Sequence, residues 1–466
     1  MAITIICISL SAFVSHDAPA DTGSLDLTVN DYGLSFGNSP RLRGLRINFA
    51  DQDVEEVIGV NITLWQPGDN PDAVVKGLAV GLMVPQADEL RGIAIGGGVV
   101  AANSYLSGLA IGGFVVASGG TTEGISVAGL ANVSDDEFTG ISIGGLANVS
   151  GGDVDGISIG GLGTVTEGDL SGISVGGLAT ITEGSVDGIT AGGLATIIDD
   201  NLSGIAVGGL ATVIDGKVDG IVLSGLGNVT NGPMSGISAA GLATVSNGQL
   251  DGIALSGLAT VADGGISGIS VSGLATVSNG DMDALSVNGF AEIVNGEATG
   301  IGIAGLAIVG ADDMTGLHLT GGGVTSAGRL SGITVGGVGM LSYEDNEDEE
   351  GLVYFGIEAR SAKWLTVHGI QMDIADEIEG FAASGIHIRA GGIVGMAVSP
   401  ILVQAHELVG FSAGAVNYID GVQVGFTLGI VNYAEQLNGI QLGLINIAGN
   451  NRSPFRVLPI VNAHFD

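Results

Sequence analysis

The sequence predicts an all-β chain, a β-solenoid of stacked sixteen-residue coils, and three observations carry the prediction. Glycine recurs every sixteen residues from Gly92 to Gly332, with Ala284 the single break. Five residues after each of these frame positions stands a second glycine, from Gly97, Gly113 and Gly129 to Gly337, without exception. Between the glycines the residues alternate with the period of a strand, as in Gly172–Asp187, GISVGGLATITEGSVD. A period this strict means one structural unit stacked on copies of itself.

Each copy reads as two short strands and two corners. The residue after the frame glycine is Ile or Leu in every copy, for example Ile93, Ile173, Leu285 and Ile333. Two residues further on stands another aliphatic, such as Ile95, Val175 or Val335, shrinking to Ala191 and Ala239. Ser, Thr or Ala lies between them, as at Ser126, Ser142 and Thr190. Apolar residues at alternate positions mark a strand with one face in a core. The expectation is therefore Ile, Val and Leu ladders inside, with the small polar residues facing outward. The glycine pair that follows, Gly176-Gly177 or Gly192-Gly193, suits a bend or a close backbone approach. A second run, typically Leu-Ala-Thr-Val as in Leu210–Val213, ends in a turn signal such as Glu183-Gly184, Asp215-Gly216 or Asn247-Gly248. One more aliphatic (Leu170, Val186, Leu202 or Val218) leads back to the frame.

A porin-like barrel with one strand per copy is the structural rival. Up and down strands need turns of alternating kind, yet every turn here looks alike. Aromatic girdles and long outer loops are missing. Residues 92–122 and 220–250 carry no Asp, Glu, Lys or Arg. Their glycine density and their phase with the frame mark them as coils, so no transmembrane helix is expected.

The pattern loosens at both ends. Upstream, Gly44, Gly59 and Gly77 echo the frame at uneven spacings, and residues 21–91 read as an N-terminal cap with irregular coils. The regular array covers 92–343, and the run EDNEDEE at 344–350 reads as a solvated acidic loop. Residues 351–466 read as irregular C-terminal coils and a cap, with Gly385, Gly421 and Gly439 as frame glycines. Val416-Asn417, Val431-Asn432 and Ile445-Asn446 place asparagines where side-chain ladders can satisfy corner backbone groups. Caps are expected because a bare solenoid end is an open sheet edge. The segment GIQLGLINIAGN (Gly439–Asn450), with GVQVGFTLGIVNYAEQLN before it, resembles the bacterial surface-repeat proteins built on Gly-Leu-Gln-x-Gly-Leu-x-Asn units. The resemblance covers both ends and, more loosely, the centre, where Ser and Thr replace Gln and Asn. It implies an exported protein of the bacterial envelope or surface and brings no catalytic residues.

Composition narrows the partners. Asp and Glu number 49 against 12 Lys and Arg, a net charge of −37. Phosphate binding needs clustered basic residues, so nucleic acid is excluded as a partner, and an anionic membrane surface repels such a chain. Acidity of this degree suits either a high-salt habitat or an ordinary acidic secreted protein. The one cysteine, Cys7, excludes an internal disulfide and a cysteine metal site. It lies in the apolar run 2–14, which precedes Ala18-Pro19-Ala20; residues 1–20 read as a signal peptide lacking its positive start.

Chemistry is sparse. Gly300-x-Gly302-x-x-Gly305 matches a dinucleotide fingerprint only because the repeat supplies it, with no βαβ context. The six histidines form no paired metal motif. Acidic rows recur at Glu167, Glu183, Asp199 and Asp215, and at Asp155, Asp187, Asp219 and Asp251; they read as a solvated face, with weak cation binding the alternative. Thr164, Thr180, Thr196, Thr212, Thr244, Thr260 and Thr276 form a column that in an outward array orders water, as in ice-binding solenoids, and that β propensity also explains. In the irregular segment, Arg360, His368, Asp373, His387 and Arg389 are loose candidates for a carbohydrate-active groove. No catalytic, cofactor-binding or metal-ligating set is assigned, and no cofactor is expected.

The reading that results is a non-enzymatic, exported structural or adhesive element of the bacterial cell surface. Its partner is another surface, a glycan, a protein or a second copy of itself. An outer-membrane barrel and a solenoid carbohydrate-active enzyme are the alternatives.

Overall fold

The computed structural model describes residues 23–65, 67–68, 70–337 and 356–465. The expected signal peptide, Cys7 and the acidic run 344–350 lie outside the described residues. The chain divides into two compact units, Met1–Gly232 and Pro233–Asp466, each a parallel β-solenoid.

The first unit begins with an antiparallel hairpin, Ser24–Val29 on Tyr32–Gly37. From Tyr32–Gly37 onward every pairing is parallel, through Arg41–Asn48, Glu56–Thr63 and Val74–Gly81. In the regular array each coil holds a seven-residue strand, such as Leu170–Gly176, and a four-residue strand, such as Ala179–Thr182. Long strands pair with long and short with short, so Gly156, Gly172, Gly188 and Gly204 stack in register. In-register parallel pairing between successive coils is the signature of a solenoid. It removes the barrel alternative, whose neighbouring strands run antiparallel.

Both glycine columns follow from how closely the coils approach. Gly172 has φ +129°, and a Cβ there would lie 2.1 Å from the carbonyl oxygen of Gly156. A Cβ on Gly177 would lie 2.0 Å from the carbonyl oxygen of Gly161. No side chain fits either place. The acidic corner has its own device: Asp169 Oδ1 accepts the amide of Ser185 one coil on at 2.7 Å, as Asp153 Oδ1 accepts that of Asp169 at 2.8 Å.

The structure reverses the expected orientation of the long strand. Ser174 and Thr190 are fully buried, whereas Ile173 and Ile189 are exposed. The core aliphatics are those two residues before the frame glycine: Val154, Leu170, Val186, Leu202 and Val218. Side chains alternate along a strand. Burying Leu170 therefore buries Ser174, and sends Ile173 and Val175 to the same outer side as Ser171. Asp187 and Ile189 share that side in the next coil. An inward Ile column would have carried the aspartates in with it, at a large desolvation cost. Small interior residues and frame glycines leave room for hydroxyl hydrogen bonds instead, such as Thr164 to Ser174 at 2.7 Å and Thr196 Oγ1 to the Val207 carbonyl at 2.7 Å. The threonine column is thus buried, and the ice-binding alternative, which needs it outside, falls with it.

The second unit is built of the same two-strand coil, from Met234–Ala240 and Ala243–Ser246 to Arg329–Gly336. Ser361–His368 then pairs with Arg329–Gly336 in register. Longer strands follow, from Gln371–Ser384 to Val431–Ala448, and Val457–His464 closes the stack antiparallel to the last of them. In these coils the frame column is Gly380, Gly395, Gly410, Gly425 and Gly439. The expected frame glycine Gly385 belongs instead to the corner, stacked on Gly369, and Gly421 lies outside the column. Asn417, Asn432 and Asn446 form an interior ladder at 2.8 and 2.7 Å. Asn417 and Asn432 also donate to the corner carbonyls of Leu428 and Leu442.

Candidate binding surfaces

With the polar residues turned inward, the outside of each coil is aliphatic over most of its perimeter. In the first unit Ile141, Ile157, Ile173 and Ile189 form one outward column along the long strand. Leu146, Leu162, Leu178, Leu194 and Leu210 form a second at the glycine corner, each 45–49% exposed. Val149, Val165, Ile181 and Ile197 line the short strand as a third. In the second unit Leu242, Leu258, Leu274 and Phe290 continue the corner pattern.

The charges are segregated from these columns. Between residues 92 and 337 every Asp, Glu, Lys and Arg except Glu292 lies within the five residues preceding a frame position. That window spans the turn at the other corner of the coil and the first two residues of the long strand that follows it. Glu167, Glu183, Asp199 and Asp215 are exposed there, as are Asp155, Asp187, Asp219 and Asp251. Among the described residues no group of three or more potential ligands could hold a metal ion, and no helix is long and apolar enough to cross a membrane.

Glu292 is the exception, and it lies in the interior of the second unit, 2% exposed. Burial pushes its carboxyl up to about 7, against a hydrogen bond from Ser286. His318 is equally buried; burial alone pushes it down to about 4, and neither ring nitrogen has a hydrogen-bond partner among the described residues. Gly302, part of the discarded dinucleotide match, leaves the space between them: a Cβ there would come within 2.8 Å of Glu292 Oε1 and 3.1 Å of His318 Nδ1. The sequence carries this pair only as a carboxylate and an imidazole two coils apart, on either side of the coil of Gly302, at positions whose inward direction the repeat pattern does not reveal.

In the C-terminal coils the outward columns change character. Glu358, Asp373, Arg389, Gln404, Tyr418 and Tyr433 occupy one column on successive coils. Glu358, Arg360, Asp373, Arg389, His406 and Asp420 line an open cleft of about 540 Å³. Asp373 Oδ1 lies 3.8 Å from both His387 Nε2 and Arg389 Nη1. His406 Nδ1 lies 2.8 Å from Asp420 Oδ1. Tyr418 and Tyr433 stack at 5.0 Å, and beyond them Glu435, Arg456 and His464 line a second cleft of about 700 Å³.

Four of the five loose candidates are therefore neighbours: Arg360, Asp373, His387 and Arg389. His368 is not among them. It is buried 2% exposed in the interior, its Nδ1 accepting the Ile370 amide at 3.0 Å and its Nε2 facing the Gly322 carbonyl at 3.3 Å. Burial lowers its pKa, against the hydrogen bond to the Gly322 carbonyl. No known protein family, curated protein or solved structure matches the chain.

Proposed function

We propose that the chain is a non-enzymatic, exported structural or adhesive element of a bacterial cell surface. The observation that carries the reading is the set of exposed aliphatic columns. A monomeric soluble protein rarely exposes contiguous apolar patches beyond a few hundred Å². Here the same aliphatic residue recurs outward on coil after coil, so the contact is a repeated face and no single residue is a site. The resemblance of Gly439–Asn450 to surface-repeat units supports export to the envelope. Expression of the full chain in a Gram-negative host, followed by protease shaving of intact cells, tests this. The reading expects surface-accessible fragments from the acidic corner. Recovery of the intact protein from the cytosol alone overturns it.

A second reading, a carbohydrate-active cleft, is favoured by Glu358 and Asp373. They lie on adjacent coils, about 4.8 Å apart in backbone spacing. Retaining glycosidases hold two carboxyl groups at about 5–5.5 Å. This reading requires release of reducing ends from a soluble polysaccharide and its loss in Asp373→Asn. A purified chain inactive on neutral and acidic polysaccharides removes it.

A further inference from the structure

We infer that the glycine–leucine corner of each unit contacts lipid hydrocarbon, so that this corner lies at the boundary of a membrane leaflet. The inference rests on the surface-element reading and names the partner of its repeated face.

Four features of the coil select this partner. First, the apolar surface wraps three sides: the leucine corner and, on either side of it, the isoleucine column and the valine column of the short strand, each of which ends at a row of carboxylates. A rigid flat protein partner covers one of these. A convex ridge meeting a second copy's ridge buries little. Fluid acyl chains cover all three sides at once.

Second, the corner amides are satisfied within the protein. Gly177 N donates to Gly160 O at 3.0 Å, Leu178 N to Leu162 O at 2.6 Å and Ala179 N to Leu162 O at 3.1 Å. The same set recurs one coil on, at Gly193, Leu194 and Ala195. Backbone that enters lipid must have its donors paired internally, and here they are. The carbonyl of Gly177 accepts no backbone amide among the described residues. That places the corner at the level where headgroups meet acyl chains and not at the bilayer centre.

Third, the side chains are aliphatic and uncharged. Fourth, the carboxylates occupy the opposite corner and the start of the long strand next to it, at the far end of the coil from the leucines, where they remain in water. This is the polarity of an interfacial amphipathic element, apolar on one side and charged on the other, built from a solenoid instead of a helix. The acidic rows disfavour anionic headgroups, so the leaflet is zwitterionic or uncharged at its surface.

The test uses the full chain carrying Cys7→Ser, with single cysteines introduced at Leu178→Cys or Glu183→Cys and labelled with an environment-sensitive fluorophore. Both positions are exposed, so neither label disturbs the interior. With phosphatidylcholine vesicles the Leu178 label shifts to the blue with a several-fold rise in emission, and acyl-chain quenchers suppress it. The Glu183 label keeps its aqueous spectrum. The triple variant Leu162→Asp, Leu178→Asp and Leu194→Asp keeps its circular dichroism but no longer floats with vesicles. An aqueous spectrum at Leu178, or equal shifts at both positions, overturns the inference. A Leu178 shift that depends on protein concentration and needs no vesicles identifies a second copy as the partner. That outcome also overturns it while leaving the surface-element reading standing. Failure of that reading shows separately, in the protease shaving of intact cells.

Discussion

At the residue scale, the frame glycine and its exceptions are the sharpest test of the coil. Gly172→Ala places a methyl group 2.1 Å from Gly156 O at a φ of +129°. Strain of about 1–3 kcal/mol from the backbone alone, plus the displaced carbonyl, predicts a large fall in the midpoint of chemical denaturation; an unchanged midpoint would sink the account of the column. Trp364 is the informative exception. It pairs with Gly332 and Gly380 in the frame column, has φ +85° and is 70% exposed. A non-glycine residue at positive φ is strained, and Trp364 buries little in return. Trp364→Gly is expected to stabilise the second unit by about 1 kcal/mol after the entropy cost of glycine is subtracted, and a lower melting temperature would contradict this. Glu292 and His318 set a pH dependence. The Glu292 carboxyl, raised from 4.5 to about 7, favours folding most when protonated. Its contribution is complete below the unfolded value and is lost as pH climbs through about 7, a loss of roughly 3 kcal/mol by linkage. His318, lowered from 6.5 to about 4, works oppositely: its contribution is complete above the unfolded value and is lost as pH falls through about 4. Between about 4.5 and 6.5 the two slopes cancel. Glu292→Thr restores the hydroxyl that Thr276 carries one coil earlier in the same column. Its stability gain over the natural chain should grow from pH 5 to pH 8; a gain independent of pH would refute the linkage.

At the element scale, the irregular coils are held by buried polar networks where the array uses repeated ladders. Near the N-terminus Arg46 is fully buried, donates to Asp51 at 2.6 Å and to Asn38 at 2.9 Å, and is held below its ordinary pKa by desolvation against the attraction of Asp51. Asp51 also accepts from Asn61 at 2.9 Å and Thr63 at 2.6 Å. Asp51→Ala strands a buried guanidinium, for which the cost is about 3–5 kcal/mol. Hydrogen exchange should show the coils from Arg41 to Gly81 losing protection while later coils keep theirs; uniform protection throughout would argue that the pair is dispensable. How much of such an element is legible in sequence depends on what the period repeats. The coil length and both glycine columns were legible because each recurs at a fixed interval, and the Asn417–Asn446 ladder because an apolar-Asn pair recurs in successive C-terminal segments. The direction of the side chains is the reverse of the expected one, because a strand pattern defines two faces without saying which is inner. Asp187, on the same side as Ile189, held the answer. The Arg46 network and the charged cleft were not legible as units: their members come from the same and from neighbouring coils at spacings that vary, and only the fold brings them together.

At the scale of the whole molecule, the segregation of charge governs how the protein responds to salt. A column places like carboxylates on successive coils about 4.8 Å apart. Each such neighbouring pair repels by about 0.8–0.9 kcal/mol even at the dielectric constant of water. Glu167, Glu183, Asp199 and Asp215 form one such run, and the net charge of −37 adds a repulsion felt by every coil. Few cations offset it: Lys217 is one of only three lysines in the chain. Raising ionic strength from 0.1 M to 1 M shortens the Debye length from about 10 to 3 Å, so the rows are screened from one another and from the rest of the chain. The melting temperature is therefore expected to rise steadily with sodium chloride over this range. Asp199→Asn and Asp215→Asn together remove two adjacent charges at exposed positions, where the neutral amide still accepts and donates hydrogen bonds. The double variant should melt higher than the natural chain in low salt and converge with it in 1 M salt. Parallel salt curves, offset by a constant, would mean that the acidic corner is too well solvated for its self-repulsion to matter.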